Sequence, residues 1–340
     1  MREPPAHAAA PGVSVIMPVR NGEAHLEEAL RSLAAAARRY AGAVQLCVHD
    51  DGSTDGSFRR VLPAMLPELH AAGVDVAVTK SAPTKIAAAA AAPAASGAAT
   101  GAARGIGAAR NAAVAGARHA LLCFFDGDDV MHPERLRKQV PLALDDPRAI
   151  VGCNFWRIPE GAMPRYTAWH NSLSDAQLLL QQNVECTVAQ CTWLLHRAAF
   201  DRVGGYDEGG PGVPEDLIFF LAHLRQGGTL RKVHEALLGY RFHAGSTTAG
   251  RVVPWRTIFA HRVRHLQRTT LLARAPWSAG FTIWNAGREG RHLYSALAPE
   301  ARRLVRAMCD VDEKKLARGY YSHYEGGRET RVPVVHFTRA

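Results

Sequence analysis

Short apolar runs alternate with amphipathic stretches along the first half of the chain. The stretch from Glu23 to Arg39, for example, places leucines at three- and four-residue intervals, which is typical of a helix with one buried face. Because parallel strands need a crossover between them, this alternation predicts an α/β fold with a mostly parallel sheet flanked by helices. The predicted strands are residues 13–17, 44–48, 74–78 and 120–125.

The alternation weakens after about residue 150. A glycine-rich loop at 204–212 leads into Glu215-Asp216 and an apolar helix at 217–224, and a basic helix is predicted at 261–268. A final apolar run occupies residues 332–337. We therefore expect a C-terminal extension that is mainly helical.

These patterns predict a division of the chain into three parts. They are a flexible N-terminus at 1–12, an α/β domain at 13–245 and a basic extension at 246–340. Residues 87–100 are almost entirely alanine, broken by Pro93 and Gly97, and are predicted to form a mobile insertion without chemistry.

Composition excludes several classes of protein. The 340 residues are 47% hydrophobic and 21% charged, enough for a substantial core, which argues against a disordered chain, a collagen or a coiled coil. The six cysteines are scattered without a CxxC pair, so neither a zinc knuckle nor a dense disulfide framework is indicated. No run of about 18 apolar residues is present, and we expect a cytoplasmic protein without a membrane partner.

The formal net charge of +10 is unevenly distributed. Lys and Arg exceed Asp and Glu by one in residues 1–150 and by nine in 151–340, and residues 241–306 contain twelve arginines and two glutamates. Such a segment attracts phosphate-rich partners and accelerates their association. The alternative is a solvated basic face with no partner.

The sequence Asp126-Gly127-Asp128-Asp129 follows an apolar predicted strand. Carboxylates crowded at a strand end repel one another unless a cation shares them, and hard oxygen ligands suit Mg²⁺ or Mn²⁺ holding a diphosphate. The position after a buried strand therefore favours a nucleotide-sugar site over an ordinary acidic turn.

A second acidic turn, Asp50-Asp51-Gly52-Ser53, follows the predicted strand at 44–48. A carboxylate there can accept a hydrogen bond from the N–H of a uracil ring, and Gly52 permits a tight turn. By itself this motif is more often a helix cap. Together with Pro18 and its neighbours after the first strand, it is better explained as part of a nucleoside pocket.

Two further segments supply candidate charged groups. The segment from Gly105 to Asn111 begins a helix, and Arg110 in it is placed to offset nucleotide charge, although a plain helix start explains the glycines equally well. Asp216 is our candidate general base for an acceptor hydroxyl, with Glu215 as its orienting neighbour. The competing interpretation is a pair of helix-capping acids.

Two histidines are further candidates for the site. His243 is a candidate for the metal shell or the diphosphate, whereas His49 lies beside Asp50. A lone histidine is more often structural, and that interpretation stays open for both residues.

Five motifs, in this order, resemble the family 2 inverting glycosyltransferases of the GT-A fold. They are Val-Ser-Val-Ile-Met-Pro-Val at 13–19, Asp-Asp-Gly-Ser at 50–53, Gly-x-x-Arg-Asn at 107–111, Asp-Gly-Asp-Asp at 126–129 and Glu-Asp at 215–216. The segments at 165–169, 212–217, 281–287 and 309–314 resemble the queuosine-tRNA galactosyltransferases, and the likeness extends from about residue 13 to 338.

The resemblance implies transfer of galactose, with inversion, from UDP-galactose to the queuosine of a tRNA anticodon loop. It implies a tRNA partner rather than DNA, and the basic segment independently fits a phosphate-rich acceptor. Two alternatives remain: a cytosolic family 2 enzyme that uses another UDP-sugar and a glycan or lipid-linked acceptor, and a silent RNA-binding module. The expected residue roles are these: Asp216 and Glu215 catalytic; Pro18, Asp50, Asp51, Arg110 and Asp126 on the donor; Asp126, Asp128 and His243 on Mn²⁺ or Mg²⁺.

Overall fold

The computed structural model describes residues 10–81, 103–243, 245 and 252–339. The predicted alanine insertion at 87–100 lies outside the described residues, as does most of the predicted N-terminal segment. The chain divides into two compact units, Met1–Pro254 and Trp255–Ala340. None of the helices in the described ranges combines the length and the apolar character that crossing a bilayer would require.

The first unit contains a mixed α/β arrangement, as the sequence predicts. Its strands are β1 (Val13–Val19), β2 (Val44–Asp50), β3 (Val74–Lys80), β4 (Leu121–Phe124), β5 (Val130–Met131), β6 (Ala149–Ile158), β7 (Leu194–His196) and β8 (Thr229–Arg241). Its helices are α1 (Leu26–Arg39), α2 (Leu62–Ala71), α3 (Ile106–Ala115), α4 (Arg135–Asp145), α5 (Pro164–Ser172), α6 (Asp175–Leu180), α7 (Arg197–Val203) and α8 (Glu215–Arg225), with short helical turns at Ser57–Val61 and Gln190–Thr192.

The eight strands form one mostly parallel sheet in the order β3-β2-β1-β4-β7-β6-β8-β5. β1 pairs in parallel with both β2 and β4, while β7 and β5 run antiparallel to their neighbours. This mixture explains why the simple alternation in the sequence fades after residue 150. The sheet and its helices match the predicted GT-A architecture.

The four strands predicted in the first half are confirmed, with different ends. Parallel pairing of β1 with β2 continues to Val19 and Asp50, so Asp50 belongs to the strand rather than to the turn after it. Helix α1 starts at Leu26 instead of Glu23, because the Glu23 N–H donates to the Asp55 carboxylate and this region forms a turn. Helix α8 starts at Glu215, which places Asp216 in its first turn.

The core of the first unit lies between the sheet and its helices. The alternating residues Val13, Val15 and Met17 of β1 pack with the apolar face of α1, where Leu30 and Leu33 are fully buried. At about 25 cal/mol per Å² of apolar surface, burial of this kind supplies the main favourable contribution to folding. The core thus fixes β1 and β2, and the acidic turn at 50–53 lies at the carboxyl end of β2.

The second unit contains helices and a four-stranded sheet. Its helices are α9 (Trp255–Leu266), α10 (Arg288–Ala296), α11 (Pro299–Arg302) and α12 (Glu313–Arg318), with short helical turns at Gln267–Leu271, Trp277–Ala279 and Phe337–Arg339. Its strands are β9 (Phe281–Trp284), β10 (Val305–Asp310), β11 (Tyr320–Glu325) and β12 (Arg328–His336), in the order β11-β12-β10-β9. Our description of this part as mainly helical missed the sheet, because only its last strand has a clear apolar run.

Candidate functional site

The two acidic turns lie at one edge of the large sheet. β2, β1 and β4 are parallel neighbours, so their carboxyl ends face the same side. Asp51 follows β2, and its N–H donates to the Val19 carbonyl at 2.9 Å. Asp126 comes two residues after the end of β4. This is the edge at which ligands of open α/β sheets bind.

Arg110 joins two of the acidic motifs. Its Nη1 donates to Glu215 Oε1 at 2.7 Å, and its Nη2 donates to Asp126 Oδ1 at 3.1 Å. The Arg110 side chain is only 4% exposed, so both contacts are shielded from water. Arg110 on α3 therefore links the start of α8 to the turn after β4. Asp216, the residue after Glu215, lies at the same edge of the sheet.

Burial changes the protonation of this cluster. It raises the pKa of Glu215 to about 7, with the neighbouring Asp216 adding to the rise and Arg110 opposing it. Burial also raises the pKa values of Asp126 and Asp216, again against the effect of Arg110. Burial acts to lower the pKa of Arg110, but Asp126 and Glu215 outweigh it and the net shift is upward, so the guanidinium stays charged.

The raised pKa of Glu215 predicts a specific pH dependence of stability. Between its ordinary value of 4.5 and about 7, the folded state holds a proton that the unfolded state has released. The free energy of unfolding therefore falls as pH rises through this window. In Glu215→Gln the fall should be smaller, as measured by urea denaturation from pH 4.5 to 8.

The exposed variant Glu27→Gln on α1 is the matched control and should follow the wild-type curve. A Glu215→Gln curve that runs parallel to the wild-type curve would show that Glu215 does not titrate in this window.

Asp51 holds the segment before α3. Its Oδ1 accepts hydrogen bonds from Arg104 N at 2.9 Å and Ser81 Oγ at 3.0 Å, and its Oδ2 accepts one from Gly105 N at 3.2 Å. A carboxylate has about four acceptor sites, so roughly one stays open for a ligand. Asp50 instead accepts from Ser53 N at 2.7 Å, which is the turn-capping contact that the sequence allowed.

The glycines before Arg110 have two separate structural causes. Gly105 has a φ of 96°, a conformation that side chains rarely adopt. At Gly107 a Cβ would lie 2.2 Å from the carbonyl oxygen of Asp207, so the loop before α8 approaches α3 too closely for any other residue. A helix start alone therefore does not explain Gly107. The close packing of this loop against α3 requires a glycine there.

Asp128 and His243 form a pair beside the Arg110 cluster. His243 Nε2 lies 2.9 Å from Asp128 Oδ2, and each side chain is about one-third exposed, at 31% and 32%. The backbone of the pair is fixed by Arg241, whose Nε donates to the Asp128 carbonyl at 2.6 Å. Pro18 lies half-buried near the carboxyl end of β1.

The predicted three-residue metal set is only partly brought together. Asp126 faces Arg110, whereas Asp128 and His243 contact each other. In the part of the chain that the structure describes, no group of three or more His, Cys, Asp or Glu side chains is placed to hold a metal ion. One carboxylate and one imidazole nevertheless suit Mn²⁺ when the phosphates of a donor complete the coordination, so the residues fit the ion.

Two positioning residues were missed by the sequence analysis. Asp129 is buried, and its Oδ1 accepts from Arg241 N at 2.8 Å, which ties the end of β8 to the acidic turn. Asn111 makes reciprocal hydrogen bonds at 2.9 Å with the backbone of Tyr206 and so holds the loop before α8. Asp129 and Asn111 belong to the Asp-Gly-Asp-Asp and Gly-x-x-Arg-Asn motifs, and this position in the sequence could have identified them.

The sequence matches one protein family, described as glycosyl transferase family 2, over residues 14–79 and 98–204. These two segments make up just over half of the chain. The chain belongs to glycosyl transferase family 2. This glycosyltransferase carries Asp51, Arg110, Asp126 and Asp128 inside the matched segments, whereas Asp216 lies beyond them.

Solved structures of S. aureus TarS have the same fold as this glycosyltransferase. The crystal structure of TarS 1–349 in complex with UDP-GlcNAc has a TM-score of 0.56 at 15% identity, covering 95% of this chain and 99% of that one. TarS 1–349 in complex with UDP gives a TM-score of 0.51 at 16% identity, covering 94% and 96%. At these identities the likeness establishes the fold.

Proposed function

We propose that this glycosyltransferase uses a UDP-sugar and transfers the sugar to an acceptor hydroxyl with inversion. The main support for the proposal is the Arg110 cluster at the ligand-binding edge of the sheet. Arg110 binds Asp126 and Glu215, and Asp216 is the next residue after Glu215. Donor binding needs cationic and metal-binding groups at this edge, and transfer needs a base there. Arg110, the Asp128–His243 pair and Asp216 meet these needs.

The donor is expected to lie along the carboxyl ends of β1, β2 and β4. Asp51, with Asp50 and Pro18 beside it, offers its remaining acceptor site to the uracil N–H. Arg110 balances the carboxylates of Asp126 and Glu215 and so limits the negative charge that faces the diphosphate. Mn²⁺ or Mg²⁺, held by Asp128 and His243, would neutralise the charge that develops on the UDP leaving group.

Asp216 is the proposed general base. Burial raises its pKa, which makes the ionised carboxylate a better proton acceptor for a hydroxyl. The acceptor oxygen forms a bond to the anomeric carbon, its proton passes to Asp216, and the bond from that carbon to the UDP oxygen breaks. Glu215 accepts a hydrogen bond from Arg110, and this contact orients the start of α8.

The proposed reaction is transfer of galactose from UDP-galactose to the queuosine of a tRNA anticodon loop. Two features support it: the resemblance in the sequence segments given above, and the concentration of charge in Trp255–Ala340, which has 16 Lys and Arg against 7 Asp and Glu. A second candidate uses another UDP-sugar and a glycan or lipid-linked acceptor. The structurally similar TarS is seen in complex with UDP-GlcNAc, which supports this second candidate.

Incubation of the purified protein with tRNA separates these candidates. UDP-galactose and UDP-GlcNAc are each supplied with tRNA that contains or lacks queuosine, and the nucleosides are then analysed by mass spectrometry. We expect a hexose on queuosine when UDP-galactose is supplied, and no sugar on queuosine when UDP-GlcNAc is supplied. Unmodified queuosine, together with sugar transfer in a parallel incubation that contains a glycan acceptor, would establish the second candidate instead.

A polyanionic acceptor predicts a strong salt dependence of binding. The apparent association constant for tRNA should lose roughly 0.7 to 0.9 log unit per log unit of salt for each phosphate contacted. Fluorescence anisotropy of labelled tRNA between low and physiological salt measures this slope. Affinity that does not change with salt would contradict phosphate recognition by the basic segment.

A further inference from the structure

Two adjoining cavities lie on the second unit beside an exposed aromatic ring. They have volumes of about 360 and 370 Å³, and both are lined by Trp255 and His292. Both are open to solvent rather than enclosed. We call this feature the α9–α10 groove, because its lining residues come from these two helices, with Trp255 and Phe259 on α9 and Arg288 and His292 on α10.

The ring of Trp255 is preorganised for stacking. It lies against Phe259 with the ring centroids 4.7 Å apart and the planes 18° from parallel, and His292 borders it at 5.7 Å. Trp255 nevertheless remains 51% exposed. Phe259 therefore holds the Trp255 ring in place, while about half of the Trp255 surface stays exposed.

The sequence of α9 explains why the ring is exposed. Trp255, Phe259 and Val263 recur at four-residue intervals and form one apolar stripe. Val263 is buried at 3% exposure within the core of this unit, whereas Trp255 lies at the other end of the stripe and is half exposed. The stripe therefore leaves the core at the N-terminal end of α9, where Trp255 is exposed.

Charge around the groove selects an anionic partner. Arg256 and Arg288 line it, and both are exposed. Glu289 is the only acid among the described lining residues, and it is paired with Arg288 in an exposed contact of 3.0 Å that a ligand can readily rearrange. Because a neutral glycan gains nothing from this charge, the groove favours a ligand that combines a planar ring with phosphates.

We propose that the α9–α10 groove binds an unpaired base of an RNA by stacking it on Trp255, with Arg256 and Arg288 at the flanking phosphates. Stacking on an aromatic ring beside positive charge is how single-stranded nucleic acids are bound without strict sequence readout. The proposal deepens the proposed function and rests on it, because it makes the groove the contact for an unpaired loop base of the acceptor RNA.

Binding of RNA to the full chain tests this proposal in the absence of any sugar donor. The probe is a short fluorescein-labelled single-stranded oligouridylate, titrated at fixed low salt. Trp255→Ala should weaken binding by about 5- to 150-fold, the range expected for the loss of one stacked base. Trp255→Phe should restore most of the affinity, because it retains an aromatic face.

Trp277→Ala is the matched control, since Trp277 is similarly exposed at 45% and does not line the groove. It should bind the probe like the wild type, and all variants should keep the wild-type Tm. Equal affinity of Trp255→Ala and the wild type overturns the proposal. So does saturable, Trp255-dependent binding of a neutral maltooligosaccharide in place of the RNA.

This experiment also separates the inference from the proposed function. If queuosine is not modified but RNA binding depends on Trp255, the groove remains an RNA site and the acceptor assignment fails. If queuosine is modified equally by wild type and Trp255→Ala at limiting tRNA, the reaction stands and the groove is not its contact.

Discussion

Replacing Asp216 with Asn should lower turnover by about 10²- to 10⁴-fold, the typical effect of losing a general base. The asparagine has nearly the same shape, so the start of α8 and the contact of Glu215 with Arg110 should persist. UDP-sugar binding should therefore remain close to that of the wild type. Steady-state kinetics with UDP-galactose and tRNA, together with a UDP-binding titration, measure both quantities.

Asp201→Asn on α7 provides the control for this variant, because it makes the same chemical change at an exposed position. It should leave both turnover and donor binding unchanged. Weaker donor binding with unaltered turnover in Asp216→Asn would assign Asp216 to the donor and remove it from the proton transfer.

Replacing Arg110 with Met should reduce the free energy of unfolding by about 3 to 5 kcal/mol, the cost of leaving buried charges without their partner. Asp126 and Glu215 both lose their guanidinium contacts. Their pKa values, already raised by burial, should then rise further, since Arg110 opposes the rise in each. The loss of stability should therefore grow as pH increases, and urea denaturation at pH 6 and pH 8 measures it.

The pair of Arg118 and Asp75 supplies a matched comparison. Both side chains are about half exposed, with a 2.6 Å contact. Arg118→Met should cost at most about 1 kcal/mol, as is usual for exposed ion pairs. If Arg110→Met is no less stable than Arg118→Met, the Arg110 cluster does not hold this edge of the sheet together.

The positions of the acidic turns could be predicted because local signals determine them. Apolar runs mark β2 and β4, and polar residues directly after parallel strands must lie at one edge. The motif order also located Arg110 at the start of a helix near that edge. These inferences need only the hydrophobic period and the topology of a parallel sheet, and they hold in the structure.

The partners of these residues could not be predicted from the sequence. That Arg110 binds both Asp126 and Glu215 depends on the packing of α3 against the loop before α8, which Gly107 permits. For the same reason, the sequence did not show that the carboxylate of Asp126, expected in the metal set, would contact Arg110. Long-range side-chain pairs of this kind leave no periodic trace in the sequence.

The sheet of the second unit was missed for a different reason. β11 is rich in tyrosine and polar residues and has no buried residue, so it lacks the apolar alternation that marks a strand. β11 pairs with β12 in an antiparallel hairpin, and the short turn at Gly326-Gly327 connects the two strands. The glycine pair was a hairpin signal, and reading it would have recovered this strand.

The edge of the large sheet formed by the carboxyl ends of β1, β2 and β4 should bind a UDP-sugar through Asp128 and its neighbours. Calorimetric titration of UDP-galactose into the purified protein with Mn²⁺ tests this most directly, beside Asp128→Asn and the exposed control Asp145→Asn. The wild type and the control should bind UDP-galactose saturably, and Asp128→Asn should bind it much more weakly. Absence of binding to the wild type, or equal binding by all three proteins, would show that this edge does not bind the donor through Asp128.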